Sequence, residues 1–233
     1  MVLASRSERR EQLLRQIGLS PASLPVDIDE TPLPDECPVE LVKRLARAKA
    51  IQCRNVLATP GFSTEAFDLR QDVGIAASDD RVNDGASHRR FDLVLAADTV
   101  IDLDGQVVGK PVSRKHCLQT LSALAGRSHK VHSGVCVLHA LSDQVFTDVV
   151  TTEVTFGPIN ARQALDYWET GEPWGKAGSY AIQGLGAVFV VRLNGSYSGV
   201  VGLPLYQTVV LLKKAGLPFS LPDNPVANTD SEQ

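Results

Sequence analysis

Five consecutive apolar residues, Leu93-Val-Leu-Ala-Ala97, run directly into the carboxylate of Asp98. A continuous apolar run of this length fits a strand covered on both faces better than one with a wet side. In an α/β sheet such a strand delivers its last residue to the carboxyl edge, where ligands bind. Asp98 is therefore expected at the strand end. Two readings stay open there: a group that binds Mg²⁺ or takes a proton from water, or a turn-capping pair with Thr99.

The neighbouring patterns build an α/β chain around that strand. Val2-Leu3-Ala4 is a short strand, and Ser5-Arg-Ser-Glu8 has capping-box spacing with Ser5 at the cap. A helix should follow through Leu13, Leu14 and Ile17 to Gly18. Residues 38–52 form a second amphipathic helix, with Lys49 on the same stripe as Val42, Leu45 and Ala46. Residues 99–108 fit a hairpin around Asp104-Gly105, and Ser113 and Gly126 bracket a further helix. Strands are expected over 131–138 and 145–156, and a helix over 158–170. After a glycine-rich connection over 171–186 come a hairpin over 187–201, turned by Asn194-Gly195, and a last helix over 203–215. Residues 54–90 are polar and weakly periodic, a surface excursion, and 219–233 have the composition of a frayed tail. The whole describes a single domain over residues 1–218 with a mixed sheet flanked by helices.

Composition narrows the function by exclusion. Lys plus Arg total 23 and Asp plus Glu 27, a net charge of −4, so a chain-wide attraction for nucleic acid is absent. No apolar run is long enough for a membrane span, and the first residues lack signal-peptide character, which points to a cytoplasmic protein. Cys37, Cys53, Cys117 and Cys136 form no C-x-x-C pair, and His129 and His132 lack partners for a zinc site. Gly171-Glu-Pro-Trp-Gly-Lys176-Ala has the wrong spacing for a Walker loop, and Gly195-Ser-Tyr197-Ser-Gly has tyrosine where a hydrolase elbow needs serine.

The chemistry concentrates elsewhere. Arg9 and Arg10 occupy the first turn of a helix, where positive charge opposes the dipole. With Ser5, Ser7 and free main-chain N–H groups they make a phosphate site, or else a solvated basic helix end paired with Glu8 or Glu11. Lys49 on an apolar stripe either meets an anion or snorkels to the surface. Lys110 and Lys176 lie beside glycines that permit close approach to a ligand, or are surface loop lysines. Val26-Asp-Ile-Asp-Glu30 adds carboxylates that suit a hard cation or form a solvated acidic loop. Five basic groups set against Glu30 and Asp98 exceed what one phosphate needs and favour a triphosphate with a metal ion.

Leu3-Ala-Ser-Arg-Ser-Glu-Arg-Arg10, Ala46-Arg-Ala-Lys49-Ala, Ala97-Asp98-Thr99-Val, Gly109-Lys110-Pro111, Gly171-Glu-Pro-Trp-Gly-Lys176-Ala-Gly, Tyr180-Ala-Ile-Gln183-Gly and Val201-Gly-Leu-Pro204-Leu occur in that order. Together they resemble the Maf proteins, nucleoside triphosphate pyrophosphatases once named for septum formation. The resemblance implies two lobes around a nucleotide-binding cleft, a divalent metal, Mg²⁺ or Mn²⁺, held by Glu30 and Asp98, and a homodimer. It implies Asp98 as general base, Ser5, Arg10, Lys49, Lys110 and Lys176 as substrate-binding groups, and Arg9, Thr99 and Gln183 as selectors of the base. Ile182-Gln183 resembles the subgroup acting on dTTP and UTP; the alternatives are the 7-methyl-GTP subgroup, with Ser-Glu there, and a nucleotide-sensing regulator of division. Glu8 in place of a common proline, Ser133-Gly134 in place of Thr-Gly and the long 54–90 segment depart from the family pattern.

Overall fold

The computed structural model describes residues 1–59 and 92–221, so most of the expected polar excursion and of the expected tail lies outside the described residues. The element order is β1 (Val2–Leu3), α1 (Glu8–Gln16), β2 (Ala22–Ser23), α2 (Pro38–Leu57), β3 (Leu93–Leu103), β4 (Gln106–Val108) and α3 (Arg114–Leu124). It continues with β5 (Ser128–His139), β6 (Val145–Phe156), α4 (Ala161–Glu169), β7 (Val190–Asn194), α5 (Tyr197–Val201) and α6 (Leu205–Lys214). The strands form one seven-stranded mixed sheet in the order β2-β1-β3-β5-β6-β7, with β4 also on β3. β1 runs parallel to β2 and β3, and the remaining pairs are antiparallel.

Alternation along β3 divides the core in two. Leu93, Leu95, Ala97 and Ile101 pack with Leu13 and Leu14 of α1, Leu121 and Leu124 of α3, and Leu211 and Leu212 of α6. Val94 and Ala96 pack on the opposite face with Ala46, Ala50 and Cys53 of α2, while Val100 meets Leu41, Val42 and Leu45. Burial on both faces is why this stretch carries so few polar residues. It is also why α2 continues past Gln52 to Leu57: Cys53 is fully buried and extends the apolar stripe.

Three local expectations are corrected. Asp98 does not end its strand: β5 pairs with β3 from Leu93 to Asp102 and carries the strand past the carboxylate. The Ser5 capping box does not form: Ser7 is the N-cap of α1, and the Ser5 hydroxyl accepts from the Ser7 N–H (3.1 Å) and from Arg10 Nη1 (3.2 Å). The hairpin over 187–201 is absent as well. β7 pairs with β6, but the Ser196 N–H donates to Thr152 Oγ1 (2.9 Å) and the Ser196 hydroxyl accepts from the Gly199 N–H (3.0 Å), so the chain enters α5 in place of a return strand. The Asp104-Gly105 turn forms as its chemistry dictates, with positive φ at both residues. Ser113 caps α3 through the His116 N–H (3.1 Å).

Two packing details have measurable consequences. Gly134 of β5 lies opposite Asp98, and a Cβ there would stand 2.6 Å from the main-chain oxygen of Val42 in α2. Because main chain cannot swing aside, Gly134→Ala should lower stability by about 2–3 kcal/mol, the upper part of the overpacking range, read as a fall in the urea midpoint. His129 is buried against Phe156 and Tyr180, with Nε2 2.8 Å from the Tyr180 hydroxyl and Nδ1 without a partner among the described residues. Burial pushes its pKa down to about 4. The unfolded chain takes this proton near the ordinary value and the folded chain does not, so stability is full above the unfolded pKa and drains as pH falls toward the folded one. Urea titrations across that window should show a loss of about 3 kcal/mol that His129→Phe largely removes.

Candidate active site

β3 has one edge filled and the other interrupted. β5 occupies one edge from Leu93 to Asp102; β1 and β4 share the other, β1 at Val94 and Leu95 and β4 from Ile101 to Leu103. Between them, among the described residues, Ala96 to Val100 pair with no strand on this edge, a gap of about 13 Å at ~3.3 Å per residue. The Leu95 carbonyl accepts from the Ala4 N–H (2.8 Å) across this edge, so by alternation the main-chain groups of Ala97 and Thr99 also turn toward the gap. Asp98 thus stands just beyond the point where β1 stops, and the carboxyl-edge argument holds for the parallel pair although β3 itself runs on.

Side chains converge on the gap from both faces of the sheet. On the α2 face Lys49 Nζ lies 2.5 Å from Asp98 Oδ1 and 2.6 Å from Glu30 Oε1, so Lys49 meets anions and does not snorkel. The Lys49 and Asp98 side chains are each only 12% exposed, against 53% for Glu30. Partial burial acts to raise the Glu30 pKa, but the Lys49 hydrogen bond and the charges of Lys49, Lys110 and Arg10 outweigh it and hold the carboxyl below its ordinary range. Glu30 is consequently an anion at neutral pH.

On the opposite face Arg10 is locked by neutral partners. Its Nε donates to the Gly202 carbonyl (2.8 Å), Nη1 to Ser5 Oγ (3.2 Å) and Nη2 to Thr99 Oγ1 (3.4 Å). Thr99 Oγ1 lies 3.0 Å from Ser133 Oγ, which donates to the Gly199 carbonyl (2.6 Å). Burial lowers the Arg10 pKa, and the charges of Asp98 and Glu30 oppose that shift while Arg9 adds to it. The positive charge in the first turn of α1 is thus met by carboxylates across the gap. Arg9 is partly buried, and its charge together with burial lowers the pKa of Lys176, burial acting first.

The remaining lysines arrive on joined loops. Lys110 follows β4, and the Gly109 carbonyl accepts from the Gly178 N–H (3.0 Å), tying its loop to the one that carries Lys176. Lys110 is exposed and its charge acts on Glu30. Gln183 is exposed on a separate turn above buried Ile182, and no side-chain hydrogen bond joins it to Asp98, Thr99 or Arg10 among the described residues. The structure therefore brings together Glu30, Lys49 and Asp98 as one group, and Ser5, Arg10 and Thr99 as another. Ser133 and Gly202 belong to the second group without having been singled out as site residues; Ser133 could have been found from the β3–β5 register, which pairs it with Thr99.

Two carboxylates on either side of one ammonium also suit a hard divalent cation, which is commonly held by one or two carboxylates with phosphate and water oxygens completing its shell. Among the described residues there is no cluster of three His, Cys, Asp or Glu side chains, so the protein's own share would be Glu30 and Asp98. No helix among them is long and apolar enough to cross a membrane.

Replacing Lys49 with methionine keeps the apolar stem and strands the Asp98 carboxylate. Lys49→Met should cost about 2–3 kcal/mol, below the full penalty for breaking a wholly buried pair, whereas Arg6→Ala at the exposed Arg6–Asp27 pair should cost under about 1 kcal/mol. Chemical denaturation of the two variants side by side makes the comparison.

The family model described as Maf-like protein matches residues 1–215. A protein of Pseudoalteromonas atlantica named dTTP/UTP pyrophosphatase is 42% identical over 217 residues, covering 93% of this chain and 97% of its own length. Proteins of the same name from Acinetobacter baylyi and Nitrosomonas europaea are each 39% identical, covering 91% and 92% of this chain and 97% and 94% of their own lengths.

Proposed function

Because the chain belongs to the Maf family, we propose that it is a nucleoside triphosphate pyrophosphatase that hydrolyses dTTP and UTP to the nucleoside monophosphate and pyrophosphate. The observation that carries this reading is the Glu30–Lys49–Asp98 group facing Arg10, Ser5 and Thr99 across an unpaired strand edge. A triphosphate brings several negative charges, and Arg9, Arg10, Lys49, Lys110 and Lys176 supply the positive ones. The first N–H groups of α1, which have no side-chain cap, add donors of the same sign.

Asp98 serves as general base. Its carboxylate takes a proton from water as the water oxygen attacks phosphorus, and the α–β anhydride bond breaks with pyrophosphate as leaving group. The basic side chains stabilise the charge that builds up on the departing oxygens. Glu30 and Asp98 would hold Mg²⁺ or Mn²⁺, which when bound supplies charge neutralisation on phosphate oxygens. Arg9, Thr99 and Gln183 select the base, and a neutral amide at Gln183 matches the mixed acceptor and donor pattern of a uracil or thymine edge. The protein acts as a homodimer in the cytoplasm, where free nucleotides are its substrates.

Purified protein with Mg²⁺ should release pyrophosphate from dTTP and UTP faster than from 7-methyl-GTP; no release from the first two sinks this reading. Asp98→Asn should retain nucleotide binding and lose about 10²–10⁴-fold in kcat, because an amide cannot accept the proton. Unchanged turnover in that variant removes Asp98 from the role.

A further inference from the structure

The turn that carries Gln183 is pinned at both ends by one tyrosine–glutamate pair. The Ala181 N–H donates to the Tyr167 hydroxyl (3.1 Å), which itself donates to Glu172 Oε1 (2.7 Å). On the far side of Gln183 the Gly186 N–H donates to the same Oε1 (2.9 Å) and the Leu185 N–H to Oε2 (2.9 Å). Within the turn the Gly184 N–H donates to the Ala181 carbonyl (3.2 Å). A single carboxylate and a single phenol thus account for three main-chain donors flanking one exposed side chain.

Several independent features keep the pair rigid. Tyr167 lies on α4, is 4% exposed and stacks edge-on against Phe189 with ring centroids 5.2 Å apart. Burial and the Glu172 hydrogen bond raise its pKa, so the phenol stays protonated and continues to donate. Burial acts to raise the Glu172 pKa as well, but its hydrogen bonds from Tyr167, Gly186 and Leu185 and the nearby Lys176 charge lower it on balance, so it stays an acceptor. Main chain and carboxylate are packed so closely that a Cβ on Gly184 would stand 2.1 Å from Glu172 Oε2, and one on Gly186 would stand 2.6 Å from the Tyr167 hydroxyl. None of this touches Asp98 or Lys49.

We propose that Glu172 and Tyr167 are positioning residues for base selection, holding residues 181–186 so that Gln183 presents its amide to the nucleobase from a fixed main chain. The inference rests on the pyrophosphatase reading for the identity of the ligand, and it makes a demand of its own. Loosening the pair should blur discrimination between bases while the phosphate-binding groups on α1, on α2 and after β4 keep their geometry; Lys176, whose charge acts on Glu172, bears on both analogues alike. Glu172→Gln leaves one carbonyl oxygen for donors that now use two, and Tyr167→Phe leaves the Ala181 N–H without an acceptor.

The test measures binding of the uncleavable α,β-methylene analogues of UTP and CTP by calorimetry to the wild type and to Glu172→Gln, Tyr167→Phe, Gln183→Ala and Glu172→Gln with Gln183→Ala. The wild type should prefer the uracil analogue, and each single variant should reduce that preference by about tenfold, the scale of one misplaced hydrogen bond. The double variant should be no less selective than Gln183→Ala alone, because both changes remove the same contact. Equal weakening of both analogues in Glu172→Gln, additive losses in the double variant, or a wild type without preference would overturn the proposal. Because these analogues are bound and not turned over, absence of pyrophosphate release from UTP overturns the pyrophosphatase reading without deciding this one.

Discussion

A strand with one edge fully paired and the other paired only at its ends is the constraint on which the site depends. β5 holds β3 from Leu93 to Asp102, which keeps Asp98 and Thr99 in regular extended backbone. β1 and β4 stop short of each other on the opposite edge, so among the described residues no strand pairs with the main chain between them. The lengths of these two partners set the aperture. α1 begins just after β1 and Lys110 follows β4, so each flank of the gap also delivers a basic group.

The electrostatics follow from that placement. A lysine amid buried alanines and leucines would be costly without a counter-charge, and a buried aspartate would be too. Lys49 and Asp98 answer both costs at once, and Glu30, more exposed, supplies the second anion. Arg10 is fixed instead by two hydroxyls and a carbonyl, which orient the guanidinium without neutralising it. Its charge therefore stays available to a bound anion, as does that of Arg9 beside Lys176.

Sequence exposed what is decided locally. Asp104-Gly105 and Ser113 act within a few residues of themselves, so their turn and cap were legible, and so was the mixed α/β sheet that follows from apolar runs between amphipathic helices. Lys49 announced itself by violating an apolar stripe. Features settled by distant partners were not legible: Thr152 converts the Asn194-Gly195 segment from a hairpin into the entry to α5, and β5 carries β3 past Asp98. Ser133 and Gly202 reach Thr99 and Arg10 only through strand register and the end of α5, and Glu172 acquires its partners only when the chain folds back over α4. The family motifs marked positions along the chain, but the partners of each side chain came from the tertiary structure.

Adjacent positions on β3 send their side chains to opposite faces, and this gives the site a division of labour. Asp98 answers to α2 and the core of Ala46, Ala50 and Cys53, whereas Thr99 answers to α1, α5 and the larger core. A substitution that shifts α2 moves the Lys49 side of the gap and reaches Arg10 through the backbone of β3 and through the charges of Asp98 and Glu30. The two halves are therefore anchored in different cores on a common rail, joined by the charges that Asp98 and Glu30 exert on Arg10, so a change of charge on one face is felt on the other even where the packing is not disturbed.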